Sequence, residues 1–225
     1  MEPQAQSMAR ARGTGLRRLA GSARRELSAR MERLLHPLRR WRARSRLTDG
    51  DGWDTIVFVC HGNICRSPYA ASVLERLLVE SGGATAKVRS AGRLDAGRPC
   101  PAAGVRVAAA RGVDLGAHRS VRLLALDDLP RRSLVVVMDG EQRRWVVRWF
   151  GHAAADVLVL GDLDPERPGR RGVPDPWQLG EAAFEASYAR IDRCVAELAA
   201  RLPRPPAERV NRRGTARTAA GRGAP

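Results

Sequence analysis

A run of β-branched and aromatic residues, Thr55–Val59, stops at Cys60-His61-Gly62-Asn63-Ile64-Cys65-Arg66-Ser67-Pro68, and a helical pattern follows at once. Apolar residues at Ala71, Val73, Leu74, Leu77 and Leu78 give Pro68–Glu80 its helical spacing. This strand–loop–helix order constrains the fold more than any other stretch, because a buried strand feeding directly into a helix is half of a βαβ unit. The rest of the chain repeats the alternation. Lys87–Ser90 reads as a second strand, and Pro101–Arg111 as a helix of small residues stopped by Gly112. Ser133–Met138 reads as a third strand, followed by a helix through Phe150, and Asp156–Leu160 as a fourth strand. Glu181–Leu202 is the last predicted helix, with Phe184, Tyr188, Ile191, Val195 and Leu198 on one face. The expected architecture is a single α/β domain over 51–202, a four-stranded parallel sheet with helices on both faces. Such sheets bind ligands at the carboxyl ends of their strands. Cys60 falls at such an end.

Charge separates this domain from its flanks. Residues 1–50 hold 13 arginines against 4 acids, and residues 201–225 hold 7 against 1, whereas 51–200 carry 20 basic and 19 acidic residues. The formal charge of +16 therefore resides almost wholly in two arms on a near-neutral domain. A nucleic-acid-binding domain would carry its positive face on the folded unit, so no nucleic-acid partner is expected. In the first arm, Leu27, Met31, Leu34, Leu38 and Trp41 recur at helical spacing among arginines. That pattern fits either a basic amphipathic helix for an anionic membrane or acidic partner, or an unpacked, disordered arm. The cluster from Thr48 to Gly52 reads as a linker, and the Pro-rich segment 203–225 as a disordered basic tail. The chain contains no apolar run of membrane-spanning length, and four cysteines make no disulfide framework. A cytoplasmic, monomeric protein is expected.

The loop's chemistry follows from where it lies. Proline is favoured in a first helical turn, so Pro68 places the N–H groups opening the helix next to Cys60. Such a nest, with the helix dipole behind it, binds a phosphate dianion without a metal or another cofactor. Gly62 supplies the positive φ expected of a tight loop, and Asn63 tolerates one as well. Arg66 can fold back over the loop and hold two phosphate oxygens with its planar guanidinium. The same positive field favours the thiolate of Cys60, a nucleophile. Ser67 either donates to that thiolate or caps the helix.

The run from Val59 to Pro68 resembles the signature of the low-molecular-weight protein tyrosine phosphatases, and the likeness extends over about 54–202. Ser90-Ala91-Gly92, Gly112-Val113-Asp114-Leu115 with His118, Val137-Met138-Asp139 and Val173-Pro174-Asp175-Pro176-Trp177 resemble the family's later landmarks. The resemblance implies the family's fold, phosphotyrosine phosphatase I-like and of flavodoxin-like, Rossmann-like type. It also implies a two-step displacement on a phosphotyrosine protein. Cys60 would form a phosphocysteine, Arg66 would bind the phosphoryl oxygens, and Asp175 would act first as acid and then as base. His61, Gly62, Asn63, Ile64, Cys65 and Ser67 would line the substrate loop, and Trp177 would wall the phenol slot. Ser90 and His118, with Asn63, would hold the loop in shape. By the same resemblance Cys65 pairs with an oxidised Cys60; read from its residue type alone, it is a small buried group.

Four positions depart from the family's pattern: His61, Arg93 in place of Thr, Val121 in place of a frequent Arg, and Gln178 in place of a second aromatic residue. They bear on substrate preference. Arsenate reductases share the fold but relay oxidation through a further close pair of cysteines, whereas Cys100 and Cys194 stand apart in sequence. Protein arginine phosphatases tend to carry Thr where Ile64 stands, and the bulk of Ile64 suits a flat phenol. A non-catalytic phosphoprotein-binding module would not need Cys60, Arg66 and Asp175 together.

Overall fold

The computed structural model describes residues 3–48, 52–82, 86–123, 132–150 and 156–203. The linker residues 49–51 and the expected tail beyond Pro203 lie outside them. The elements, in chain order, are α1 (Pro3–Thr48), β1 (Thr55–Cys60), α2 (Arg66–Glu80), β2 (Lys87–Gly92) and α3 (Ala102–Ala110). They continue with β3 (Ser133–Val137), α4 (Gly140–Phe150), β4 (Val157–Val159) and α5 (Glu181–Ala199). All strands pair in parallel in the order β2-β1-β3-β4.

Every residue of β1, β3 and β4 is buried, as expected of strands covered on both faces. The two faces alternate along each strand. Ile56, Phe58, Leu134, Val136 and Leu158 join the core formed with α2, α3 and α5. Val57, Val59, Val135, Val137, Val157 and Val159 face the other way, onto Val146 and Trp145 of α4. Cys60 lies beside Gly92 of β2, and Val59 beside Val137 of β3. The chain leaves β1 for β2 on one side and later crosses to β3 on the other. The carboxyl end of β1 is therefore a topological switch point, where a crevice must open.

Helix α1 docks through an unexpected face. Among the residues of α1 whose burial is described, His36, Ala43 and Leu47 are buried, and Ala43 and Leu47 join the main core. Beside them Arg40 and Arg44 pair with Glu197 of α5 at 3.1 and 3.3 Å. Gly169 packs against Ala29 and Arg33, close enough that a Cβ at Gly169 would lie 3.1 Å from each. The apolar positions Leu27, Met31, Leu34, Leu38 and Trp41, by contrast, are exposed.

Burial holds the His36 imidazole below its ordinary value of 6.5, although the charges of Asp164 and Asp162 pull the other way. An undocked helix takes up a proton more readily than the docked one. Docking is thus complete above about pH 6.5 and weakens as the pH falls below it. Hydrogen exchange in α1 is expected to accelerate as the pH falls below about 6.5, after correction for intrinsic rates, and His36→Gln should remove that change.

Candidate active site

Cys60 ends β1 and α2 begins at Arg66, so the five residues between them wrap the first turn of α2. Asn63 fixes that wrap. It is fully buried and takes a left-handed backbone with φ +51°. The expected positive φ at Gly62 is not found. The left-handed turn falls on Asn63, whose side chain repays it with local hydrogen bonds. Its Nδ2 donates to Ser67 Oγ at 2.9 Å and Ser90 Oγ at 3.0 Å, and its Oδ1 accepts from the Val121 N–H at 2.8 Å. His118 Nε2 lies 2.8 Å from the Asn63 carbonyl. A carbonyl only accepts, so Nε2 carries the proton.

The sulfur of Cys60 sits inside this knot. The Asn63 N–H points at Sγ from 3.2 Å, and Ser67 Oγ lies 3.0 Å away. Ser67 Oγ accepts from Asn63 Nδ2 and lies 3.4 Å from the Ala91 carbonyl, so in its 3.0 Å contact with sulfur it can either donate or accept. The first residue of α2 has no side-chain cap, so Ser67 sits toward Cys60 rather than capping the helix. Gly92 lets the loop come this close. A Cβ there would meet Asn63 N at 2.7 Å and Gly62 C at 2.9 Å.

Arg66 is buried to 4% exposure beneath the loop. Its Nη1 donates to the Val173 carbonyl at 3.1 Å, its Nη2 pairs with the Asp175 carboxylate, and Asp139 lies 4.0 Å away. Arg66 Nε is buried and reaches no hydrogen-bond acceptor in the structure. A buried guanidinium with a donor to spare, beside helix-terminal N–H groups, suits an oxyanion.

Two clefts meet at Cys60, Arg66 and Asp175. The smaller, about 130 Å³, is walled by Ile64, Leu94 and Trp177, and is floored by Gly62 and Cys65. Trp177 is 47% exposed and so is a wall rather than a core residue. It is held by its N–H, which donates to Asp175 Oδ1 at 3.3 Å, and by the left-handed turn at Gln178. The larger cleft, about 460 Å³, is polar and includes His61, Arg93, Asp139, Glu141, Trp145 and Arg170. Arg93 lies over the Trp145 ring at 5.9 Å, so this departure from the family pattern shapes the wider mouth. Val121 contributes backbone alone, which is why its side chain can vary.

The loop that carries Asp175 is clamped from α5. Arg190 Nε donates to the fully buried Asp164 at 2.8 Å, while Nη1 and Nη2 donate to the carbonyls of Gly172 and Arg170 at 2.6 and 2.9 Å. Ser187 Oγ adds a bond to the Pro174 carbonyl at 3.1 Å. Sequence reasoning missed Arg190, Leu94 and Gly92. A buried arginine in an arginine-rich chain leaves no local signal, and Leu94 belongs to no motif. All four cysteines are buried, and no disulfide joins them. Burial, with the charge of Cys60 second, pushes the thiols of Cys65 and Cys100 up, that of Cys100 to about 12. Burial likewise raises Cys194 on α5.

This loop, with a cysteine at the end of the first strand and an arginine opening the following helix, defines a cysteine-dependent phosphatase site. Residues 55–208 match the family model described as low molecular weight phosphotyrosine protein phosphatase, and the chain belongs to that family. A probable low molecular weight protein-tyrosine-phosphatase EpsP of Ralstonia solanacearum is 33% identical over 141 residues, covering 63% of this chain and 90% of that one. The low molecular weight protein-tyrosine-phosphatase Etp of Escherichia coli is 30% identical over 157 residues, covering 68% and 97%. Among solved structures, Vibrio vulnificus Wzb in complex with benzylphosphonate superposes with a TM-score of 0.57 at 29% identity, over 67% of this chain and all of that one. An arginine phosphatase, YwlE of Geobacillus stearothermophilus, gives a TM-score of 0.55 at 26% identity, over 65% and 90%.

Asn63→Ala removes the bonds to Ser67, Ser90 and Val121 together. Turnover of an aryl phosphate is expected to fall about 10²-fold, as misplacing a reacting group by about 1 Å does. Arg190→Ala leaves the buried Asp164 carboxylate with the partly exposed Arg193 and the Glu166 N–H as partners. Stability in urea should drop by about 3 kcal/mol, the lower end for breaking a buried pair.

Proposed function

We propose that the chain hydrolyses phosphotyrosine in proteins through two in-line displacements at phosphorus. The Cys60 thiolate attacks phosphorus, the bond to the phenolic oxygen breaks, and Asp175 gives that oxygen its proton. The products are tyrosine and a phosphocysteine. Water then attacks phosphorus, Asp175 takes a proton from it, the P–S bond breaks, and inorganic phosphate and the thiolate are restored. Arg66 and the loop N–H groups neutralise the equatorial oxygens, so the proposed reaction needs no metal. In the ground state Asp175 lies on Arg66. The phosphoryl group takes over that guanidinium and releases the carboxyl toward the leaving group.

One observation carries the substrate class: the apolar slot of Ile64, Leu94 and Trp177 opens directly onto Cys60. A flat phenol can stack on Trp177 with its phosphate in the nest. Phosphoarginine is the second reading, favoured by Asp139 and Glu141 in the larger cleft, whose carboxylates suit a guanidinium. The near-neutral catalytic domain supports a protein substrate rather than a nucleic acid. Four cysteines that make no disulfide framework fit a monomeric enzyme working in a reducing cytoplasm.

Cys60→Ser is expected to abolish p-nitrophenyl phosphate hydrolysis, and chelators should leave the native activity intact. Asp175→Asn should slow phosphotyrosine turnover by about 10²–10⁴-fold while costing far less for the activated nitrophenyl ester. Equal losses on both would remove Asp175 from the acid role. Faster turnover of phosphoarginine than of phosphotyrosine peptides would replace the first reading with the second.

A further inference from the structure

Helix α1 shows its apolar side to solvent. At 100° per residue, Leu27, Met31, Leu34, Leu35, Leu38 and Trp41 fall within one stripe, and all six are exposed, Leu34 to 73% and Trp41 to 64%. His36, Ala43 and Leu47 project from the opposite side and hold the helix on the domain. The stripe is therefore not a core face awaiting the domain, because the domain has taken the other face. It runs about 21 Å along the helix, at about 1.5 Å per residue.

The borders of the stripe decide what can cover it. On the same helical spacing Arg24 and Arg42 fall within the stripe between Met31 and Leu35, while Arg46 borders it on one side and Arg30 on the other. Among residues 24–48 the acids are Glu26 and Glu32, which pair with Arg30 and Arg39. Arg42 and Arg46 also border a cleft of about 250 Å³ along the edge of β4, shared with Arg39, Arg143 and Arg171. Asp162, bound by Arg171, is the acid in that lining. Burial first, then the charges of Arg46 and Arg171, lower the Arg143 guanidinium pKa, with Asp162 opposing them. A second copy of the helix on this stripe would set arginine rows against arginine rows. An anionic surface with an apolar interior matches both parts at once.

We infer that α1 is an interfacial membrane anchor, which lays Leu27, Met31, Leu34, Leu35, Leu38 and Trp41 into the acyl boundary of an anionic bilayer while its arginines engage lipid phosphates. Among the described residues no helix is long and apolar enough to cross a membrane, so α1 lies on the surface rather than spanning it. The docked enzyme stands with its catalytic cleft close by. Gly169 packs on Ala29 and Arg33, and its neighbour Arg170 lines the cleft. This goes beyond the substrate reading, and the two stand or fall separately.

The test uses the full chain and vesicles of phosphatidylcholine with or without phosphatidylglycerol. The protein should sediment with the anionic vesicles, and high salt should weaken the association. Leu34→Glu with Leu38→Glu should reduce partitioning at least about tenfold and leave p-nitrophenyl phosphate turnover unchanged. Brominated acyl chains should quench a tryptophan signal that Trp41→Phe removes. Absence of binding to anionic vesicles would overturn the anchor. So would equal binding by the Leu34→Glu, Leu38→Glu variant, which would leave arginine charge alone as the cause. A concentration-dependent dimer abolished by that variant would assign the stripe to a second copy of the chain instead.

Discussion

The catalytic loop depends on one asparagine. A chain that must wrap a helix N-terminus tightly enough to aim its N–H groups at one point has to pass through the left-handed region. Asn63 does so at φ +51° and then uses its amide to tie the loop to α2, β2 and the segment at Val121. Ser67 translates that tie into chemistry. Its oxygen accepts from Asn63 and touches the Cys60 sulfur, so the group that fixes the loop's shape also reaches the nucleophile's surroundings. The parallel sheet matters here chiefly because it ends Cys60 at a switch point and puts Gly92, with no side chain, where the loop must pass.

Much of this was legible in the sequence, for identifiable reasons. Strand–helix alternation carries its own period, so the order of elements from Thr55 onward follows from apolar spacing. Cys60, Arg66 and Ser67 are placed by the helix they open, a local geometry. Ser90, His118 and Asp175 are remote, and they were reached through family resemblance rather than spacing. What stayed hidden shares a trait: its role belongs to the backbone or to another element. Val121 acts through its N–H, Gly92 through an absent Cβ, and Arg190 through carbonyls of a loop 18 to 20 residues away. The N-terminal helix shows a different limit. Apolar periodicity identified a face on α1 but not which side the domain would take. Helix–domain contact is settled by His36, Ala43 and Leu47 together with the pairing of Arg40 and Arg44 to Glu197.

In the proposed mechanism Arg66 would serve the Asp175 carboxylate and the phosphoryl group in turn, which would link the acid to the substrate. Its Nη2 holds Asp175, while its Nε, buried and without an acceptor, faces no competitor. In the proposed reaction an incoming phosphoryl group would find one donor waiting and one to win from Asp175, and winning it would free the carboxyl for the leaving oxygen. The clamp by Arg190 and Ser187 limits how far Asp175 can then travel, because the carbonyls of Gly172 and Pro174 stay tied to α5. Motion is left to the side chain and to the turn carrying Trp177, whose N–H already rests on Asp175. In the proposed reaction the Asp175 carboxyl and Trp177, joined by that bond, would shift together over Cys60. A phenol seated against Trp177 would then also position the proton donor, tying recognition of the phenol to cleavage of its phosphate.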